Sequence, residues 1–442
     1  MSSLRDLHLN SNPYFKINFK GGELSSDSGL LLFHEFLNQL AIPSLLAHHF
    51  STDSNPRMYS DTFLLLQRMY QTVAGYFQED DADELAFDPV FTGLLSKERL
   101  ASQPTMSRFM NRLDEICLMQ WEVIQQQLRE KIYAYQPPKQ ILLDIDSTSF
   151  ATYGSQEGSS YNAHYQTVGY HPIFVFDGIT KDLLKAELRP GNTYTSKNAS
   201  SFLLPLLLEY LDSYPQVPLF LRGDSGFADV MFYELLESHG VSYVIRMKES
   251  ARLRQMVEGD VQEFLTSLHK NQTEYACTYT EFWYCADSWA YPRRIVCKIE
   301  LHGDTKVPNY TFLVTNMELS PFDIVRFYSH RGTMENMIKE VKSGFHLRSM
   351  PSHRFITNQN RLQVGMLAYN LFHWFRRMVL PEQMRHLQID TIRFKLIKIA
   401  AKRIKHSRYQ TFQLCSSYPY KEEFAKILSN IHRLQATVCL LE

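Results

Sequence analysis

Several classes of protein leave marks that this chain lacks. Its six cysteines (Cys117, Cys277, Cys285, Cys297, Cys415 and Cys439) contain no Cys-x2-Cys pair, and no secretory leader precedes them, so a reduced, intracellular protein is expected. The opening MSSLRDLHLNSN is polar and no apolar run approaches the length of a membrane span, which predicts a soluble, cytoplasmic protein without a membrane partner. There is also no excess of either charge: 46 Lys and Arg stand against 47 Asp and Glu, a net charge of -1. Any surface for nucleic acid must therefore be a local patch. What the chain does have is bulk, with 442 residues that are 44% apolar and 13% aromatic, enough for two or three packed domains.

The texture changes along the chain. Residues 1–135 read as mainly helical after a short strand at Tyr14 to Phe19, with Ser25 or Ser26 capping a first helix through Leu40 and a further helix from Ser60 to Tyr76. Within this region Ser102-Gln-Pro-Thr-Met-Ser-Arg-Phe-Met-Asn-Arg-Leu places Pro104 in a first helical turn and Arg108 and Arg112 four apart. It reads either as a DNA-reading helix or as the start of an ordinary amphipathic helix running to Lys131. Residues 136–249 alternate apolar runs and helical stretches: strands at Lys139–Ser147, Pro172–Asp177 and Leu183–Arg189, a helix at Ser200–Ser213, a strand at Val217–Arg222, a helix, and a strand at Val241–Met247. Residues 250–319 interrupt this plan with three aromatic-rich strands (Tyr275–Tyr284, Arg293–Leu301 and Tyr310–Thr315) that predict a small inserted β subdomain. The helix expected over 320–359 follows, and residues 360–442 read as helical. This last part carries Arg393, Lys395, Lys398, Lys402, Arg403, Lys405 and Arg408, seven cations in sixteen residues, either a solvated helix face or a phosphate-binding patch.

Chemistry concentrates in two places. Tyr328, Arg331, Glu335 and Lys342 spell Tyr-x2-Arg-x3-Glu-x6-Lys inside a segment that reads as one helix. At about 100° per residue the last three fall within roughly 60° of Tyr328. Phe327, Met334, Met337, Ile338 and Val341 cluster on an adjacent, core-facing side. A surface ladder of i,i+4 pairs such as Arg331 and Glu335 would give the same stripe. The second place is a set of acids at strand ends. Asp146 closes the first core strand, with Asp144 on the same face as a rival, and Asp224 sits between glycines in Arg222-Gly-Asp-Ser-Gly226. Asp224 as a turn residue capping the next helix is the plainer alternative. Three acids from three elements suit two-metal phosphoryl transfer, in which one ion activates the attacking oxygen and the other stabilises the leaving oxygen.

The order Asp146, Asp224, a long insertion, then Tyr-x2-Arg-x3-Glu-x6-Lys resembles the DDE transposases of bacterial insertion sequences, in the group with the Tyr-Arg-Glu-Lys signature, within the RNase H-like (retroviral-integrase-like) superfamily. Tyr170-His-Pro-Ile-Phe-Val-Phe-Asp-Gly and Leu188-Arg-Pro-Gly-Asn192 are similar to the strand pair between the two aspartates in that group. The resemblance covers most of the chain and implies an α/β fold: an RNase H-like core interrupted by a β-rich insertion, with helical N-terminal and C-terminal regions. It implies a triad of Asp146, Asp224 and Glu335 binding two Mg²⁺ or Mn²⁺ ions, with Asp144 as a supporting residue. Tyr328, Arg331 and Lys342 would hold DNA phosphates.

The implied reaction is cleavage of element ends by water and joining of the resulting 3′-hydroxyl to target DNA. The implied partners are terminal inverted repeats, target duplex and further copies of the chain, in a bacterial cytoplasm and at the nucleoid when bound. Candidate DNA contacts are Arg108, Arg112, Lys398, Lys402 and Arg403, with Trp283 and Trp289 able to stack on a flipped base or to pack the β subdomain. His171, Arg189 and Asn192 are candidate cleft residues. A metal-dependent nuclease or resolvase on the same core, and a non-catalytic DNA-binding derivative, are the alternatives.

Overall fold

The computed structural model describes residues 6–52, 58–268, 275–302, 307–407 and 409–438; Arg408 and Cys439 lie outside them. The chain divides into two units, one of residues 1–136, 340–347 and 363–442, the other of 137–339 and 348–362.

An eight-stranded mixed sheet organises the second unit. Its strands are β1 (Ile141–Ser147), β2 (Ile173–Asp177), β3 (Leu183–Glu187), β4 (Leu219–Gly223), β5 (Ser242–Arg246), β6 (Tyr275–Tyr284), β7 (Arg293–His302) and β8 (Asn309–Thr315), in the spatial order β6-β7-β8-β5-β4-β1-β2-β3. Strand β4 runs parallel to both β1 and β5, and the other pairings are antiparallel. The central strands are apolar on both faces: Ile141, Leu143 and Ile145 are fully buried and Leu142 nearly so, as expected of a strand covered on both sides. Helices α1 (Ala199–Ser213) and α2 (Val230–Ser238) occur where the sequence predicts them.

Two expectations about this unit need correction. The strands of residues 250–319 do not close on themselves as a separate subdomain. Strand β8 pairs with β5, Val244 opposite Thr315, so β6, β7 and β8 extend the central sheet, and Val244, Val296, Leu313, Ile324 and Val325 form one core cluster. Nor is the polar stripe one helix. Helix α3 (Pro321–Ser329) gives way to a 3₁₀ turn at His330–Gly332, α4 (Thr333–Lys339) follows, and a π-turn occupies Glu340–Gly344. Gly332 stands at the first break, where a residue of low helix propensity lets the chain tighten. The π-turn, with Lys342, belongs to the first unit, while Tyr328, Arg331 and Glu335 belong to the second. A small sheet of Phe150–Ala151, Ser160–Asn162 and Thr167–Tyr170, absent from the sequence reading, sits between β1 and β2.

The first unit begins with a hairpin, Leu7–Leu9 with Asn12–Ile17, and is otherwise mainly helical up to Tyr135. Ser60 caps Asp61–Ala74 by accepting from the Phe63 N–H. The first long helix starts later than expected, at Leu30 with Gly29 at its N-cap, because Ser25 is in a strand paired with Ala401. Gly29 is required there, since a Cβ would fall 1.7 Å from the Leu396 carbonyl oxygen. A single helix from Ser102 to Lys131 is not formed: Gln103–Arg112 ends at Leu113, and Asp114 caps Glu115–Tyr135 through the Cys117 N–H. The basic C-terminal segment is also not one helix. Ala401–Lys405 and Gln410–Leu414 make a hairpin that takes Leu24–Ser25 as a third strand. The local sequence favours helix, but Ser28 and Gly29 donate their N–H groups to the Ile399 and Ile397 carbonyls, and this non-local pairing draws the chain out. Among the described residues no single helix is long and apolar enough to cross a membrane, although the bent pair Leu30–Gln39 and Ile42–His49 passes on length and composition together.

Candidate active site

The site assembles where two parallel strands end. Because β1 and β4 run the same way in register, Asp146, the penultimate residue of β1, and Asp224, the first residue past β4, emerge at the same edge of the sheet. Ligands of open α/β sheets sit beyond such carboxyl ends, where departing loops leave side chains uncovered. Glu335 comes from α4, exposed, while its neighbours Met334, Met337 and Ile338 are buried and fix the helix.

Electrostatics ties the three acids together. Burial pushes the Asp146 carboxyl up to about 6; Arg331 pulls it down, and the charges of Asp224 and Glu335 push it further up. Both Asp146 oxygens are engaged, Oδ1 accepting from the Ser147 N–H at 2.8 Å and Oδ2 lying 2.9 Å from Arg331 Nη2. Burial opposes the charge of Arg331, but Asp146, Tyr328, Asp224 and Asp144 outweigh it and hold the guanidinium protonated. Among the described residues Arg331 Nε makes no hydrogen bond while Nη2 is held in the ion pair with Asp146, so one buried donor remains beside the acidic cluster. Burial likewise raises the Tyr328 phenol, against the pull of Arg331 and Arg246, and keeps it a donor. Asp224 spends Oδ1 on the Gly226 N–H at 2.9 Å, so the turn-capping role is present. Gly226 makes room for Thr195 rather than for a ligand, as a Cβ would come within 2.7 Å of that side chain.

Asp144 is not free to share the site as a first ligand. It is fully buried and gripped by Arg222 in a two-pronged ion pair, with Nε to Oδ1 and Nη2 to Oδ2 both at 2.6 Å. Asp146 is thus the strand acid that faces the other carboxylates.

Among the described residues no three acidic, histidine or cysteine groups already stand close enough to hold a metal ion. The donor set nevertheless fits one: hard carboxylate oxygens from three elements, whose mutual repulsion raises Asp146 and is met at present by the Arg331 cation.

The family described as Transposase DDE domain group 1 matches residues 7–436. The chain belongs to the DDE transposase family. Enzymes of this family cut and join DNA and generally use divalent metals. Among solved structures, a piggyBac transposase synaptic complex with hairpin DNA is similar at 12% identity and a TM-score of 0.41, over 92% of this chain and 85% of that one. A Mos1 transposase paired-end complex with the left transposon end is similar at 13% identity and a TM-score of 0.18, covering 44% and 60%. A Mos1 mariner paired-end complex with Mn gives 13% and 0.18, covering 52% and 71%. The comparison with curated proteins finds no match.

Around the acids of this transposase-family chain the structure adds residues that motif reading passes over. Burial, helped by Asp146 and Asp224, pushes the Tyr165 phenol up to about 12, and its hydroxyl donates to the Ser147 carbonyl at 3.3 Å. Nothing in the spacing of Tyr165 announces this, because a small sheet of three short strands brings it there. His171 is kept neutral by burial while its Nδ1 donates to the Thr193 carbonyl at 2.7 Å. Arg189 bonds the His171 and Thr195 carbonyls, a loop-holding role, and Asn192 is exposed.

The other DNA-contact candidates separate by what already binds them. Arg108 is exposed, but Arg112 is committed to Asp61 and Thr52. Lys398 pairs with Asp27 at 2.6 Å and lies over the Tyr76 ring, and Arg403 bonds Glu23, the Pro89 carbonyl and Thr92. Arg393 is likewise buried against the Thr72 and Val73 carbonyls, so the expected seven-cation patch is not a continuous surface. Lys402 is exposed. Trp283 is 67% exposed on β6, whereas Trp289 packs against Tyr233, Tyr284 and Arg293 and lines a cavity of about 220 Å³ with Tyr194, Lys248 and Ser225.

Proposed function

We propose that this chain is a cut-and-paste DNA transposase of a bacterial insertion sequence, in which Asp146, Asp224 and Glu335 are the catalytic carboxylates on an RNase H-like core. The observation that carries the reading is the electrostatic coupling of these three acids, from two parallel strand ends and one helix, about a buried arginine. Asp146, Asp224 and Glu335 would hold the two Mg²⁺ or Mn²⁺ ions, which when bound activate the attacking oxygen and stabilise the leaving one.

The chain's own residues do the rest. Arg331 offers its buried Nε–H, which makes no hydrogen bond among the described residues, to a phosphate oxygen. Tyr328, kept protonated, donates beside it. Lys342, in the first unit, is proposed as a further phosphate contact. Asp144 holds Arg222 and does not enter the reaction directly. Water attacks the phosphodiester at each element end, and the freed 3′-hydroxyl then attacks target DNA. Trp283, with its exposed ring, offers a face to an unpaired base, whereas Trp289 is taken up by packing against Tyr233, Tyr284 and Arg293. The working form is a homodimer or larger assembly, since two ends are brought together, acting in the cytoplasm on nucleoid DNA.

The test is cleavage and joining of a duplex carrying the DNA that flanks the coding frame, with Mg²⁺, by the full chain beside Asp224→Asn and Glu335→Gln. Joined product from the wild type alone supports the reading. Cleavage by either variant at the wild-type rate removes that carboxylate from the site, and cleavage without joining moves the assignment to a nuclease or resolvase. Binding to the flanking DNA without any cleavage indicates a non-catalytic derivative.

A further inference from the structure

We propose that Arg222 is a positioning residue, forming with Asp144 a buried clamp that fixes the three segments of the active site relative to one another; this rests on the assignment of Asp146, Asp224 and Glu335 above.

The placement follows from strand geometry. Side chains two apart on a strand share a face, so Asp144 lies one step behind Asp146 on β1, and Arg222 one step behind Asp224 around the end of β4. The register puts Arg222 directly opposite Asp144. Both are buried, 2% and 0% exposed, and joined by two bonds of 2.6 Å. The remaining guanidinium arm, Nη1, donates to the Phe327 carbonyl at 2.7 Å. Phe327 is in the last turn of α3, where carbonyls run out of helical partners. It immediately precedes Tyr328 and the turn that carries Arg331. One guanidinium therefore binds the strand of Asp146 and the helix leading to Glu335 while sitting on the strand of Asp224.

Strength alone does not account for an ion pair at this position. Burying two charges is costly, and a well-packed apolar pair often holds a fold equally well. What the pair adds is direction: a planar fork fixes the offset of two strands, and its third arm fixes one carbonyl, which a lysine cannot do. The surroundings are shaped to admit it. Phe327 covers the guanidinium with its ring centroid 5.3 Å from Cζ, and Phe220 packs on Phe327 at 6.0 Å. At Gly178, just past β2, a Cβ would fall 2.5 Å from Asp144 Oδ2 and 2.8 Å from Arg222 Nη2, so the neighbouring turn goes without a side chain where the pair lies.

The experiment uses the full chain, the flanking-DNA duplex and Mg²⁺, with Arg222→Lys, the double variant Asp144→Leu/Arg222→Met, and Asp224→Asn as a reference. Small misplacements of reacting groups cost about 100-fold in rate. Arg222→Lys and the double variant are therefore expected to melt within a few degrees of wild type and bind the duplex equally, but cleave about 100-fold more slowly. Mn²⁺ titration followed by electron paramagnetic resonance should show weakened binding in both. Wild-type cleavage and Mn²⁺ binding by the folded double variant, with Asp224→Asn inactive, overturns the clamp and leaves the catalytic reading standing. Wild-type cleavage by Asp224→Asn overturns the catalytic reading instead. If the double variant fails to fold, Arg222→Lys decides; loss of folding there too makes the pair a stability element and ends the proposal.

Discussion

Arg331 Nη2 lies 2.9 Å from Asp146 Oδ2, and the two side chains are only 13% and 15% exposed. The pair joins the first turn after α3 to the end of β1, so the arginine of the helical motif and the aspartate of the first core strand, far apart in sequence, are direct neighbours. A buried carboxylate surrounded by other acids is stabilised in its charged form by such a counter-charge.

Replacement of Arg331 by alanine should therefore act in a pH-dependent way. The folded Asp146 carboxyl, already raised to about 6, would move higher without its cation. A carboxyl raised above its unfolded value contributes stability below that value and loses it as pH climbs through the folded pKa. The variant should match wild-type stability at about pH 5 and fall short by roughly 1–3 kcal/mol at about pH 8. Thermal melts at the two pH values check this; an equal deficit at both would mean that Arg331 acts by packing alone.

Asp177 makes a second pH prediction away from Asp146, Asp224 and Glu335. Burial and the neighbouring Asp182 push its carboxyl up to about 6, although the Ile179 and Thr180 N–H groups bond it. Its ionisation therefore costs stability as pH rises from about 4 to about 6, on the order of 3 kcal/mol in full. Asp177→Asn keeps an oxygen for the Ile179 N–H and removes the charge. It should flatten this part of the stability curve and make the protein more stable than wild type at pH 7, measured by urea unfolding across pH.

Trp283 and Trp289 should respond oppositely. Trp283→Ala removes an exposed ring, 67% accessible, and should change stability by less than about 0.5 kcal/mol. Trp289→Ala removes the ring between Tyr233, Tyr284 and the Arg293 guanidinium, and should cost roughly 2 kcal/mol or more. Denaturant midpoints of the two variants decide it, and a stable Trp283→Ala protein then isolates any effect on DNA processing.

Much of the second unit is legible in the sequence because its signals are local. Apolar runs ended by turns locate β1, β2, β4 and β5 to within a residue or two, and the position of Asp146 and Asp224 at strand ends follows from them. What is not legible depends on register or on distant chain. The grip of Arg222 on Asp144 exists only because β4 and β1 pair in parallel with those residues opposite, which neither segment alone specifies. Ala401–Lys405 has helix-forming residues but becomes a strand because Leu24–Ser25 offers it an edge. The stripe from Tyr328 to Lys342 assumes one unbroken helical period, and the 3₁₀ turn at His330–Gly332 shifts that period after the first member.

Lys402 and Arg403 are adjacent in sequence yet should give contrasting variants. On a strand they point to opposite sides. Lys402 is exposed, while Arg403 is drawn against Glu23 at 2.5 Å, the Pro89 carbonyl at 2.9 Å and Thr92 at 3.1 Å. Arg403→Ala leaves the Pro89 carbonyl and Thr92 without this donor and should lower stability by roughly 1–3 kcal/mol. Lys402→Ala should leave the melting temperature unchanged. If Lys402 meets a phosphate, its loss should weaken binding similarly across DNA sequences and reduce the slope of log affinity against log salt by about one. Titrations of a flanking-DNA duplex at several salt concentrations read that slope directly; an unchanged slope with Lys402→Ala places the DNA path away from this strand.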